Sequence, residues 1–216
     1  QLNIGAIAGA SAANTILFRS QGLDNTLVTL DHPSQATNTN DYLLQLNGCD
    51  RITFQHITLQ RSGALDYARI VNVLTGSTDW HFLNDRFISS TSTSTTGSRE
   101  MISIAGPAIG ASSVEDCTMT NGMGPYLSFV SSGSFTMSRN SLTNVLRGLN
   151  LNSWSNGTFL MEDNVITTRT TGATRGAMFD FCSGNITVRR NTFTGASNLF
   201  SGLLFNATSG TVGTPI

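Results

Sequence analysis

The chain has 216 residues, of which only 12% are charged, and its formal net charge is -1. All of its basic residues are arginines, and so neutral a chain lacks the basic field that would draw it to nucleic acid or an anionic membrane surface. Its most hydrophobic stretches, such as 102–111, are far too short to cross a bilayer, and with Gln1 first and no signal peptide visible the chain reads as a processed product or excised fragment.

In chain order, the first strand signals are Ile16-Leu-Phe18 and Leu27-Val-Thr-Leu30. Two kinds of run then alternate. One is apolar, polar, apolar, usually closed by glycine, at 44–46, 71–73, 102–104, 127–129, 149–151 and 179–181. That period of two marks a strand with one buried face. The other follows each of these in turn: apolar, any, apolar, two polar, a small or polar corner residue, any, apolar. It occurs at 52–59, 80–87, 112–119, 135–142, 159–166 and 186–193, and Leu203-Leu-Phe205 opens one more turn. The second apolar position falls at Phe54, Phe82, Val114, Met137, Met161 and Val188, with gaps of 28, 32, 23, 24 and 27 residues.

A strand pair with one apolar face cannot bury it alone, whereas stacked copies bury it against the turns on either side. The period and the short strands predict an all-β fold, a right-handed parallel β-helix: a single-stranded solenoid of about seven coils in one domain over 1–216. A leucine-rich repeat has a shorter period and a leucine spacing that is absent here. The corner column Ile57, Asp85, Cys117, Asn140, Asn164, Asn191 is expected to use the tolerance of Asn and Asp for left-handed backbone and to stack its amides as a ladder. The polar runs 89–99 and 167–176 read as solvated protrusions from one edge of successive turns.

Cys49, Cys117 and Cys182 are widely spaced, with no metal-ligand pattern, and read as buried free thiols, a disulfide between two of them being the alternative. His32 reads as a turn residue, and His56 and His81 as surface or corner residues. No metal site and no cofactor is expected.

Residues 4–30, together with Asp41-Tyr-Leu-Leu-Gln-Leu-Asn-Gly-Cys-Asp-Arg-Ile-Thr-Phe-Gln-His-Ile-Thr-Leu-Gln60, resemble a recurring parallel β-helix repeat of large proteins exported by the type IX secretion system. The resemblance is specific over about residues 4–60, and the general repeat covers the rest. It implies a right-handed solenoid outside the cell, secreted or surface-displayed. It also implies a piece of a longer polypeptide that reaches its export machinery through a C-terminal sorting domain absent here. It transfers no catalytic residue.

Parallel β-helices carry polysaccharide lyases and glycosidases, but that is analogy between folds. Without lysine, a lysine-based lyase is excluded, and the signature motifs of pectate lyases and polygalacturonases are missing. Glu115-Asp116 and Glu162-Asp163 are the paired carboxylates that glycoside cleavage needs. With Arg139 and Arg190 they complete the candidate catalytic set if the chain is an enzyme. The repeat offers a structural explanation: Asp116, Arg139, Asp163 and Arg190 share a column and alternate in sign along the axis. A second candidate surface is the pair of outward columns holding Thr118, Thr120, Thr143, Thr167, Thr192 and Thr194, an array of the kind that binds ice, although Val165 and Arg86 break it and threonine favours strands in any case. Trp154, in a polar turn, is placed either to stack on a sugar ring or to wedge under a loop. The leading expectation is a non-catalytic structural or adhesive module contacting extracellular glycans or surface proteins. A polysaccharide lyase or glycoside hydrolase comes second, and ice binding third.

Overall fold

The computed structural model describes residues 1–39, 41–94, 96–195, 200–206 and 212–213. Among them every regular element is a strand. The strands form three parallel sheets of eight, eight and seven strands, which the chain visits in the same order at every turn. The fold is a right-handed parallel β-helix.

Sheet A comprises Leu2–Ile4, Tyr42–Leu46, Arg69–Val73, Ile102–Ala105, Tyr126–Ser128, Arg147–Asn152, Arg175–Asp180 and Ser201–Asn206. Sheet B runs from Ile16–Arg19 to Val212–Gly213, and sheet C from Thr29–Asp31 to Thr192–Thr194. Strand register places Phe18, Phe54, Phe82, Val114, Met137, Met161 and Val188 in one file on sheet B. The first three rings stack 5.2 and 5.1 Å apart, tilted by 12°. On sheet C, Leu59, Phe87, Met119, Leu142 and Ile166 form the matching buried file. Where Ser112 interrupts a column of large residues, Trp80 and Phe135 close over it, their rings 5.7 Å apart. The Ser112 hydroxyl donates to the Ile109 carbonyl at 2.6 Å.

Three features differ from the sequence-based expectation. First, the left-handed corner residues are His56, Asn84, Asp116, Arg139, Asp163 and Arg190, one position before the expected column, with φ between 54° and 56°. Turning the chain there aims the next side chain inward, which is why Asn140, Asn164 and Asn191 form the ladder. Asn140 Nδ2 donates to Asn164 Oδ1 at 2.9 Å, and Asn164 Nδ2 donates to Asn191 Oδ1 at 2.8 Å.

Second, the runs 127–129 and 179–181 do not bury both apolar residues. Leu127 and Phe179 lie in file with Ile104 and Leu151, while Phe129 and Phe181 are 68% and 61% exposed. Both take left-handed backbone (φ 57° and 54°), flanking Ser153 (φ 59°) in one corner column. Such backbone is a genuine outlier for a bulky side chain.

Third, the run 89–99 is only partly solvated: Thr91, Thr93 and Thr96 are exposed, but its ends and its base are not. Ser89, Ser90 and Arg99 are buried, and the Arg99 guanidinium donates to the carbonyls of Ser92 and Ser94. Arg169, from the protrusion three turns further on, reaches the Ser94 carbonyl at 3.5 Å. Loop carbonyls with no strand partner thus receive charged donors, as buried backbone requires. Thr95 of this run lies outside the described residues.

All three cysteines are buried and unlinked. Among the described residues no helix is long and apolar enough to cross a membrane, and no three His, Cys, Asp or Glu side chains are placed to hold a metal ion.

Candidate functional site

The charged residues singled out from the repeat form two exposed clusters on the corner between sheets B and C. Arg139 binds Asp116 through Nε and Nη2 at 2.8 and 2.9 Å and Glu115 at 2.8 Å. Arg190 grips Asp163 in the same two-pronged way at 2.8 Å, while Arg189 and Arg190 share Glu162 at 2.6 and 2.9 Å. The Arg190 guanidinium holds the Asp163 carboxyl below its usual range. Every carboxylate in the set is tied to an arginine, and none of the four pockets described for the molecule includes any of these residues. Arg139→Ala is expected to cost less than about 1 kcal/mol, because exposed pairs contribute little. Denaturant unfolding at low and high salt checks this, and the difference should shrink as salt screens the pair.

Trp154 is fully buried, packed edge-on against Phe159 with ring centroids 5.7 Å apart. Its faces are closed to a sugar, which excludes the stacking alternative and leaves the wedge inside the solenoid, where a large apolar ring gains more from burial than from exposure. Thr118, Thr120, Thr143, Thr167, Thr192 and Thr194 do lie in two columns on sheet C. The first column runs Arg86, Thr118, Ser141, Val165, Thr192 and is broken, whereas the second keeps threonine on four successive rungs, Thr120, Thr143, Thr167 and Thr194. His81 sits on the outer face of sheet B, 2.9 Å from the Ser113 hydroxyl, and burial pulls its pKa down. His56 is half-buried at its left-handed corner, and His32 lies 3.3 Å from the Gln35 amide.

The groups that do converge are elsewhere, where the chain enters sheet A. Strand register stacks Arg69, Glu100, Met123, Arg147 and Arg175 in one column. Glycines occupy the positions beside it. A Cβ on Gly124, Gly148 or Gly176 would run into the carbonyl of the glycine one rung on, and sheet C side chains (Leu142, Ile166 and Phe193) fill the space beneath. Between Glu100 and Arg147 lies a pocket of about 290 Å³, lined by Gly97, Glu100, Met123, Gly124, Tyr126, Arg147 and Asn150. Gly97 belongs to the arginine-anchored run 89–99, so the protrusion supplies part of the wall. A small ligand fits such a volume, which lies at the lower end for binding pockets.

Electrostatically the pocket is strained. Asp41 and Arg69 pair at 3.1 Å, and Arg69 Nε lies 3.6 Å from Glu100 Oε2, too far for a hydrogen bond. Burial pushes the Glu100 carboxyl up despite that arginine, and burial raises Asp41 as well. Burial, with Arg175 alongside, lowers the pKa of Arg147. Glu100 Oε2, Arg147 Nε and Asn150 Oδ1 are buried atoms with no hydrogen-bond partner. Each such atom costs about 1–3 kcal/mol, and all three belong to residues that line this one pocket.

Sequence reasoning missed this set because it aligned the sheet A runs on their apolar residues. The charged column lies just upstream of them, and reading Arg69, Glu100, Arg147 and Arg175 at the repeat period would have found it. The chain matches no family model, no curated protein and no solved structure.

Proposed function

We propose that this chain is a non-catalytic adhesive module of a secreted or cell-surface protein, and that the pocket of Glu100, Tyr126, Arg147 and Asn150 holds a saccharide unit. One observation carries the reading: unsatisfied acceptors and a donor converge on one small polar pocket beside a half-buried tyrosine ring. Sugar hydroxyls both donate and accept, so they match a mixed set of this kind, and the ring face suits the apolar side of a pyranose. The two exposed phenylalanines, Phe129 and Phe181, border the far edge of the same sheet and add apolar contact surface. An extracellular site, and export by the type IX route, rest on the resemblance of residues 4–60.

A carbohydrate-active enzyme is the second reading, favoured by Glu100. A buried carboxyl with a raised pKa beside a tyrosine and an arginine is a usual feature of catalytic sites.

Binding to an array of immobilised bacterial, plant and animal glycans tests the first reading. Glu100→Gln and Asn150→Ala are expected to weaken capture at least tenfold while far-UV circular dichroism stays unchanged. Arg139→Ala, outside the pocket, should bind as the parent does. Wild-type capture by the Glu100 and Asn150 variants would sink the assignment of the pocket. New reducing ends or unsaturated products from polyuronides or neutral glycans would replace the adhesive reading with the enzymatic one.

A further inference from the structure

The arginines of this chain sort by environment, and two do not fit. Arg51, Arg69, Arg139, Arg189 and Arg190 pair with carboxylates. Arg61, Arg99 and Arg169 are buried and donate to backbone carbonyls. Arg19 and Arg86 are exposed and solvated. Arg147 and Arg175 are half-buried, yet neither forms an ion pair among the described residues, and Arg147 Nε has no hydrogen-bond partner. They are register partners on neighbouring strands, about 4.8 Å apart at the backbone. Like charges placed directly opposite repel, and partial burial weakens the screening that would relieve them.

The geometry points to an anionic group as the missing partner. We propose that Arg147 and Arg175 bind the anionic substituent of an acidic saccharide, a carboxylate or a sulfate ester. This rests on the saccharide reading of the pocket and deepens it. Arg147 lines that pocket together with Asn150 and Glu100. An anion between the two guanidiniums would receive charge-assisted hydrogen bonds from both. The Glu100 carboxylate, two rungs from Arg147, would take a hydroxyl and repel a second acidic group. The site therefore selects one charged substituent per sugar unit, oriented toward Arg175.

Titration calorimetry tests this with tetragalacturonate, its methyl ester, a sulfated galactan tetrasaccharide and neutral galactotetraose as probes. At least one charged probe is expected to bind tenfold or more tightly than the neutral one, and Arg147→Gln and Arg175→Gln to erase that preference. The two charged probes distinguish carboxylate from sulfate. Equal binding of charged and neutral sugars would overturn the anion assignment and leave the saccharide reading standing. A second measurement needs no sugar. Sodium sulfate should raise the thermal midpoint of the parent more than sodium chloride of equal ionic strength, and this excess should vanish in Arg175→Gln. Sulfate stabilisation without binding of any glycan would retain the anion site and discard the saccharide. Absence of both effects would discard the anion site. In ligand-free buffer Arg175→Gln should be at least as stable as the parent, since it removes a like-charged neighbour. A drop of several degrees would show that Arg175 already has a structural partner and would overturn the proposal.

Discussion

Asp85→Asn is expected to stabilise the protein by up to about 4 kcal/mol at pH 8 and to change little at pH 4. Asp85 stands in the inward corner column between Ile57 and Cys117, with none of its surface exposed. Its Oδ1 accepts the Ile57 backbone N–H at 2.8 Å, while Oδ2 is buried without a partner. Burial, the largest influence, pushes its pKa from 3.8 to about 7. The folded state thus keeps its proton when the unfolded chain has released it. Stability is full below about pH 4, falls as pH rises toward 7, and stays low above that, where the folded chain carries a buried charge. Asparagine removes the titration. It also presents an amide N–H on the side where Asn140 and Asn164 donate to the Val114 and Met137 carbonyls, each at 2.9 Å. Urea unfolding of both proteins at pH 4, 6 and 8 measures the difference, and a gap that does not change with pH would show that Asp85 is not the titrating group.

Asn164→Ala should lie at the other extreme, destabilising by about 4 kcal/mol or more. Its Oδ1 accepts from the backbone N–H and the Nδ2 of Asn140 at 3.0 and 2.9 Å. Its Nδ2 serves the carbonyls of Met137 and Glu162 and the Asn191 side chain, at 2.9, 3.0 and 2.8 Å. Truncation leaves buried donors and acceptors on three successive turns with nothing to replace them. Asn191→Ala should cost less, because that side chain is half-buried and has one asparagine neighbour rather than two. Thermal and denaturant unfolding of the pair provides the comparison. Equal losses would mean that the ladder acts as independent corners and not as a connected column.

The contrast between these asparagines and the arginines of Glu115, Asp116 and Asp163 shows how differently two adjacent columns behave. Both stack at the same repeat and both are fully bonded. One is sealed from water at Asn140 and Asn164, so their bonds have no substitute; the other faces solvent, where water replaces what a mutation removes. The shape of the pocket should therefore be insensitive to the exposed pairs, none of which lines it.

The period of apolar residues, by itself, determined the parallel solenoid, the file from Phe54 to Val188, the asparagine ladder and the stacked opposite charges. Each follows from residue type repeated at one interval, because stacking converts a sequence interval into direct contact. Tertiary structure alone decided that Phe129 and Phe181 turn outward, that Trp154 is sealed in, and that Glu100, Tyr126, Arg147 and Asn150 surround one pocket. Those outcomes depend on where the chain bends and on which side chains separate turns bring together. An apolar-polar-apolar run looks the same before and after a two-residue shift, and a pocket whose walls come from several separate turns is not visible in any single run.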